Sequence, residues 1–321
     1  MGYFQVGDTQ MFEKIHINFE GKESIAVKGL GKYSLSDTLE CGQCFRYERV
    51  DRDDGIAEYV IVSRGTLIRV AQREAGELIF IEAADCDMDG VISTLFSLEL
   101  ELSKIKEDIV KRTESEWLKH AAEYSEGIAI LSQDPWEALF SFIVSQNNNI
   151  PRIRKIVKQM CVSYGVNLSE GKECPLRKGQ SASKTDCEKC GVCYTFPSPA
   201  DVCASPELLL AGKPGFRYKY LVDAAEKVMS GEINLDSIKA AGSYDYTVSE
   251  LKKIKGVGDK VASCAALFGF GNLEAFPIDV WMKRAIDAYF GGELDPASLG
   301  KYAGVAQQYI FNYIRNVETK E

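Results

Sequence analysis

Between residues 12 and 82 apolar and polar residues alternate in short runs, and beyond about residue 90 that period of two gives way to helical spacing. The stretches HINFEG, SIAVKG, CFRYERV, YVIVSRGTLIRVAQ and ELIFIEA are broken by glycine or charged turns, which predicts a small antiparallel sheet. VISTLFSLELELSKIKEDIV opens the helical part, and almost no strand signal follows it. Strands first and helices afterwards predict an α+β fold, with an N-terminal antiparallel β/α lobe over 1–115 and a helical lobe over 116–321.

The helical part is well punctuated. Asp134-Pro135 offers a cap and a first-turn proline to WEALFSFIVSQ, which stops at Asn147-Asn148-Asn149. Pro151 opens a second helix whose stripe of Ile153, Ile156, Val157, Met160, Cys161 and Tyr164 ends at Gly165. Thr247 to Glu250 fits a capping box ahead of the hairpin KGVGDK, residues 255–260. There Gly256 and Gly258 can take positive φ and bring backbone amides close to a ligand, and the next helix begins near Asp259, where free N–H groups favour an anion. A tight turn between packed helices is the plainer reading of the same residues.

Lys260 follows in the first turn, with Cys264 beside it on the same face. An amine nucleophile must be neutral, and from an ordinary lysine pKa near 10.4 that costs roughly 4 to 5 kcal/mol at pH 7 unless burial or nearby positive charge lowers it. In EAFPIDVWMKR, residues 274–284, Pro277 stiffens the approach to Asp279, which stands as the N-cap of the helix beginning VWMKRAI. The same carboxylate can stabilise a sugar cation or move a proton.

The formal net charge of −9 argues at first against a polyanionic partner. Its distribution matters more. Acidic residues crowd 51–58, 82–89, 98–116 and 232–250, whereas Arg152, Arg154, Lys155, Lys158, Lys172, Arg177, Lys178 and the 213–219 segment leave 150–220 locally basic. No apolar run approaches the roughly 18 residues of a membrane span, and the N-terminus carries no signal core, so the expected location is the cytoplasm, at the nucleoid in a prokaryote, or the nucleus in a eukaryote.

LKKIKGVGDKVASCAALFGF followed by FPIDVWMKR resembles the helix-hairpin-helix DNA glycosylases, and specifically the 8-oxoguanine DNA glycosylase/lyases. ECGQCFRY (40–47), SQNNNIPRI (145–153), GFRYKY (215–220) and YAGVAQQYIF (302–311) resemble further family motifs in the same order, so the likeness extends over most of the chain. It implies a TATA-binding-protein-like sheet lobe and a helix-hairpin-helix lobe. It also implies a monomer that excises 8-oxoguanine from duplex DNA, with cytosine opposite the lesion, and needs no cofactor for catalysis.

Residue by residue, the resemblance makes Lys260 the amine that forms a Schiff base at C1′ and Asp279 the carboxylate that stabilises developing positive charge. The carbonyl of Gly42 accepts the N7 hydrogen of the oxidised base, Cys264 and Phe311 sandwich that base, and Gln307 reads its pairing edge. Asn147, Arg152 and Arg217 read the orphaned cytosine and Phe216 is the wedge, while Gly256 and Gly258 grip the DNA backbone. Trp281 departs from a common histidine near the lesion's phosphate, Phe216 from a frequent tyrosine, and Lys255 from the proline that often precedes GVG. Two other functions fit parts of this pattern: a monofunctional alkylated-base glycosylase, which Lys260 argues against, and a non-catalytic binder of damaged DNA.

Four of the ten cysteines gather as Cys174-x12-Cys187-x2-Cys190-x2-Cys193 in a Gly/Ser/Lys-rich insertion, residues 168–196. Four thiolates suit a structural Zn2+ that would supply the core this segment lacks, and the triplet spacing also resembles iron–sulfur ligation. The family resemblance gives neither metal any support.

Overall fold

The computed structural model describes residues 2–3, 12–82, 88–176 and 183–317. The alternating stretches form strands of one antiparallel sheet: β1 (Gly2–Tyr3), β2 (Glu13–Phe19), β3 (Lys22–Lys28), β4 (Tyr47–Arg49), β5 (Ala57–Ser63), β6 (Thr66–Gln72) and β7 (Leu78–Ile81). Their spatial order is β1-β2-β3-β7-β6-β5-β4. Register follows the pleat: Tyr59 pairs with Val70 and Ile61 with Ile68, and these four side chains share one face. That face packs on Leu35 and Leu39 of α1 (Leu35–Glu40) and on Phe96. Val60, between Tyr59 and Ile61, points the other way and meets Val192 and Cys193 of the cysteine insertion. Strand β5 is covered on both sides here, which is why YVIVS reads as a continuous apolar run.

The helical lobe is built around α2 (Pro135–Ser145). Asp134 caps it, accepting from the Glu137 amide at 3.0 Å, and nine of its residues, from Trp136 to Ser145, are buried. A helix apolar on every side belongs in a core. Next come α3 (Ile150–Tyr164), α4 (Tyr218–Met229), α5 (Tyr244–Leu251), α6 (Asp259–Ala265), α7 (Val280–Tyr289) and α8 (Ala303–Asn316). The predicted stripe of α3 is buried from Ile153 to Cys161, and Asn149 caps the helix. The expected capping box at Thr247–Glu250 is not a cap. Helix α5 starts three residues earlier under Ser243, and Thr247 sits buried inside it, donating to the Ser243 carbonyl at 2.8 Å. No described helix is long and apolar enough to cross a membrane.

The turn after α1 joins the two parts. Gln43 is fully buried, its amide donating to the carbonyls of Thr38 (2.7 Å) and Ala129 (2.8 Å) and accepting from the Leu131 amide (2.8 Å). This side chain locks the Cys41–Gly42 turn onto the segment leading into α2.

Candidate active site

Gly256 has φ +79°, and a Cβ there would come within 2.4–2.5 Å of the Tyr220 ring, so only glycine lets the hairpin press on α4. Gly258 is different. It is extended (φ −99°, ψ −175°), and a Cβ added there would meet nothing within 4 Å, so the positive φ expected there is not used. It caps α6 without any side-chain acceptor. Lys255, in place of the more usual proline, donates its amide to Asp223 Oδ2 at 2.7 Å and so ties the hairpin to α4.

The first turn of α6 carries Lys260 inward, away from bulk water. Its Nζ donates to Ser145 Oγ at 3.1 Å and lies 5.4 Å from the centre of the Phe142 ring, both on α2. Cys264, one turn on, is buried, and burial pushes its thiol up. Asp279 caps α7 as expected, with Oδ1 accepting from the Met282 amide at 2.9 Å, and it also lines the cavity that Lys260 enters.

That cavity measures about 320 Å³, and it brings together Lys260, Asp279, Cys264, Gly42, Gln307 and Phe311. They come from three distant stretches of chain. At Gly42 φ is +87°, and an added Cβ would lie 2.9 Å from Ile150 Cδ1 and 3.5 Å from Phe311 Cε1. Glycine therefore leaves the main chain itself as the cavity wall. Gln307 is buried, and its Oε1 accepts from Gln308 Nε2 at 2.7 Å. Gln308 also lines the cavity, and its own Oε1 is buried without a partner among the described residues. Trp281, where a histidine is common, is a further wall residue with the Arg284 guanidinium 5.3 Å from its ring.

Sequence reasoning missed Ser145, Phe142 and Gln308. The first two lie in a helix apolar all round, which gives no facing signal, although their i, i+3 spacing puts them on one side. Gln308 was hidden by its neighbour Gln307.

The remaining expected residues do not line the cavity; Asn147, Arg217 and Phe216 gather beside it. Asn147 is exposed in a left-handed conformation (φ +46°), and Phe216 is 51% exposed. Arg152 is exposed on the first turn of α3. Arg217, by contrast, is 3% exposed. Its guanidinium donates to the carbonyls of Gln146 (2.7 Å), Asn147 (3.0 Å) and Pro214 (3.0 Å), and burial near Arg152 lowers its pKa. In this geometry Arg217 holds the loop from behind through main-chain carbonyls.

In the insertion, Cys187 and Cys193 are buried and Cys174 and Cys190 partly so. Ser169 Oγ lies 3.4 Å from Cys187 Sγ and also contacts Cys193, whose sulfur is hydrogen-bonded with that of Cys190. Among the described residues no three His, Cys, Asp or Glu side chains stand in an arrangement ready to hold a metal. Arg177 and Lys178 lie outside the described residues. Arg46 anchors the end of the insertion, donating to the Tyr194 carbonyl at 2.5 Å and pairing with Glu137 at 2.8 Å; burial raises the Glu137 carboxyl to about 7.

A sequence model of the 8-oxoguanine DNA glycosylase N-terminal domain matches residues 27–139. The solved structure of MBOgg1, in complex with a low-affinity DNA ligand, is 34% identical and covers 97% of this chain and 99% of that one, at a TM-score of 0.79. The 8-oxoguanine glycosylase/lyase of Clostridium acetobutylicum, solved with duplex DNA holding cytosine opposite 8-oxoguanine, is 29% identical over 98% of this chain and 100% of that one, also at 0.79. The N-glycosylase/DNA lyase of Saccharomyces cerevisiae is 27% identical over 270 residues, 78% of this chain and 66% of the yeast protein, just under two thirds of its length.

Proposed function

The chain belongs to the 8-oxoguanine DNA glycosylase/lyase family and is a DNA glycosylase with AP lyase activity; on that premise we propose which residues carry each step. Lys260 Nζ attacks C1′ of an 8-oxoguanine nucleotide rotated out of duplex DNA, and the base departs with the C1′–N9 electron pair. Deprotonation of nitrogen and opening of the sugar leave an iminium. Loss of a C2′ proton then expels the 3′ phosphate and nicks the strand. Asp279 stabilises the positive charge that builds on the sugar.

The observation that carries this reading is the placement of Lys260. Its amine enters a nucleobase-sized cavity, against Ser145 and Phe142, and Asp279 lines the same cavity. A surface lysine would point outward.

The base is held by the Gly42 carbonyl, by Cys264 and Phe311 across its faces, and by Gln307 at its edge. Gln308 joins them as a positioning residue: by donating to Gln307 Oε1 it fixes which end of that amide meets the base. Cytosine opposite the lesion is preferred, as in the duplex bound by the Clostridium relative. Asn147 and Arg152 contact it, Phe216 fills the opened stack, and Arg217 acts through the loop it holds. The hairpin at Gly256 and Gly258 meets the DNA backbone, and the open space beside Gly258 supports that approach.

Borohydride trapping tests the central step. Wild-type protein should form a covalent adduct with an 8-oxoguanine duplex, and Lys260→Gln should form none while still binding that duplex. An adduct that persists in Lys260→Gln removes this lysine from the mechanism.

The cysteine insertion has no part in that chemistry. We propose a structural Zn2+ held by Cys174, Cys187, Cys190 and Cys193, supported by the four-thiol donor set and by the contacts of Ser169 with Cys187 and Cys193 and of Cys193 with Cys190. Protein purified without chelator should hold about one zinc per chain, and less than ~0.1 equivalent would exclude the site.

A further inference from the structure

A second cavity, of about 920 Å³, runs between α3 and the insertion helix Lys184–Cys190. It shares Ile150 and Pro151 with the lesion cavity, so the two adjoin at the start of α3. We propose that this groove is a second DNA-contact track, which takes the phosphate backbone of the duplex beyond the lesion.

Its charge is the first argument. Arg154, Lys155, Lys158 and Lys189 line it against only Glu48 and Glu188, a net of +2 in a chain of net −9. Glu48 engages both Arg154, at 3.4 Å, and Lys158, so one carboxylate faces two cations. Lys155 and Lys189 are exposed. A local positive groove in an acidic protein concentrates a polyanion there and repels it elsewhere.

Its construction is the second. Pro151, Lys155, Lys158, Gln159 and Val162 recur at helical spacing, so one face of α3 forms the floor. The opposite wall is held in place by Gly191. A Cβ at that position would meet Lys158 Cβ at 3.1 Å and Val162 Cγ2 at 3.4 Å, so the turn that ends the insertion helix sits directly on α3. From Pro151 to Val162 the floor extends about 16 Å at 1.5 Å per residue, or roughly five base-pair steps of 3.4 Å. A duplex engaged at the lesion cavity reaches along it with ordinary flank lengths.

This inference rests on the duplex-DNA reading above, and its test separates the two. Equilibrium binding to an 8-oxoguanine duplex is measured across a salt series for wild type, for Lys155→Ala/Lys189→Ala, and for Lys104→Ala/Lys111→Ala, which makes the same change of net charge on helix Leu102–Arg112. For a duplex with about ten base pairs on each flank, the groove variant should lose roughly one unit of log K against log salt per lysine removed, and several-fold in affinity at low salt. The control pair should do neither. Cutting one flank to about three base pairs should abolish the difference between groove variant and wild type on one side of the lesion only. Wild-type binding with an unchanged slope in the groove variant overturns the track alone, whereas absence of wild-type binding overturns the functional reading and the track with it.

Discussion

The lesion cavity and the Asn147–Arg152 loop lie side by side at the junction of α2 and α3, and they use their residues in opposite ways. In the cavity, Lys260, Cys264, Gln307 and Phe311 are buried or half-buried, and three of them are held by neighbours already present: Ser145 for Lys260, Gln308 for Gln307, the Arg315 stack for Phe311. In the loop, Asn147 and Arg152 are exposed, and the only buried member, Arg217, holds main-chain carbonyls. A preformed cavity can supply transition-state stabilisation, since its groups do not have to reorganise as charge develops. An exposed loop cannot, but it can select. Substitutions should therefore divide: cavity changes act on the chemical step, loop changes on the choice of partner base.

The strongest test of that division is Asp279→Asn. Asparagine caps a helix about as well as aspartate, so α7 should keep its start and the protein its thermal stability. The charge is lost, and single-turnover excision should fall about 10²- to 10³-fold with lesion binding retained, the usual cost of removing one preorganised electrostatic group. Unchanged excision would reduce Asp279 to its capping role. A loss of stability instead would place the effect in α7 and blur the contrast with the loop.

Much of this arrangement is readable in the sequence, and the parts that are not share a cause. Alternation locates the strands even though β3, β5, β6 and β7 are buried on both faces, because one face carries the large apolar residues and the other mixes in small or paired polar ones such as Ser24, Glu58 and Arg69. Asp134 and Asp279 are readable as caps because an oxygen-bearing side chain before a helix has one dominant use. Thr247 misleads for the same reason: a cap-like residue inside a helix can return its hydroxyl to the preceding turn. Lys260 and Asp279 stand out through the hairpin and the proline-led cap beside them. Ser145 does not, since α2 is apolar on every side and its one functional hydroxyl has no pattern around it. Arg217 could not have been placed by sequence, because its partners are backbone carbonyls, which leave no mark in residue identity.

The loop side of the comparison is sharpened by two arginines that differ in burial. Arg217→Met keeps the apolar stem and removes the donors, leaving carbonyls of Gln146 and Asn147 without a partner, at about 1–3 kcal/mol. The loop should then sample other conformations. Preference for cytosine over the other three opposing bases should fall about tenfold, together with a measurable drop in melting temperature. Arg152→Ala should be the smaller change. Its side chain is exposed and makes no intramolecular hydrogen bond or ion pair among the described residues, so melting should not move. Loss of a single base-edge contact, at the lower end of about 1–3 kcal/mol, predicts roughly fivefold relaxation of opposite-base preference, read from excision rates on four duplexes that differ only at that base. If Arg152→Ala slowed excision equally on all four, the arginine would belong with the cavity, acting on chemistry or on the backbone, and the boundary between a reacting side and a selecting side would have to move past α3.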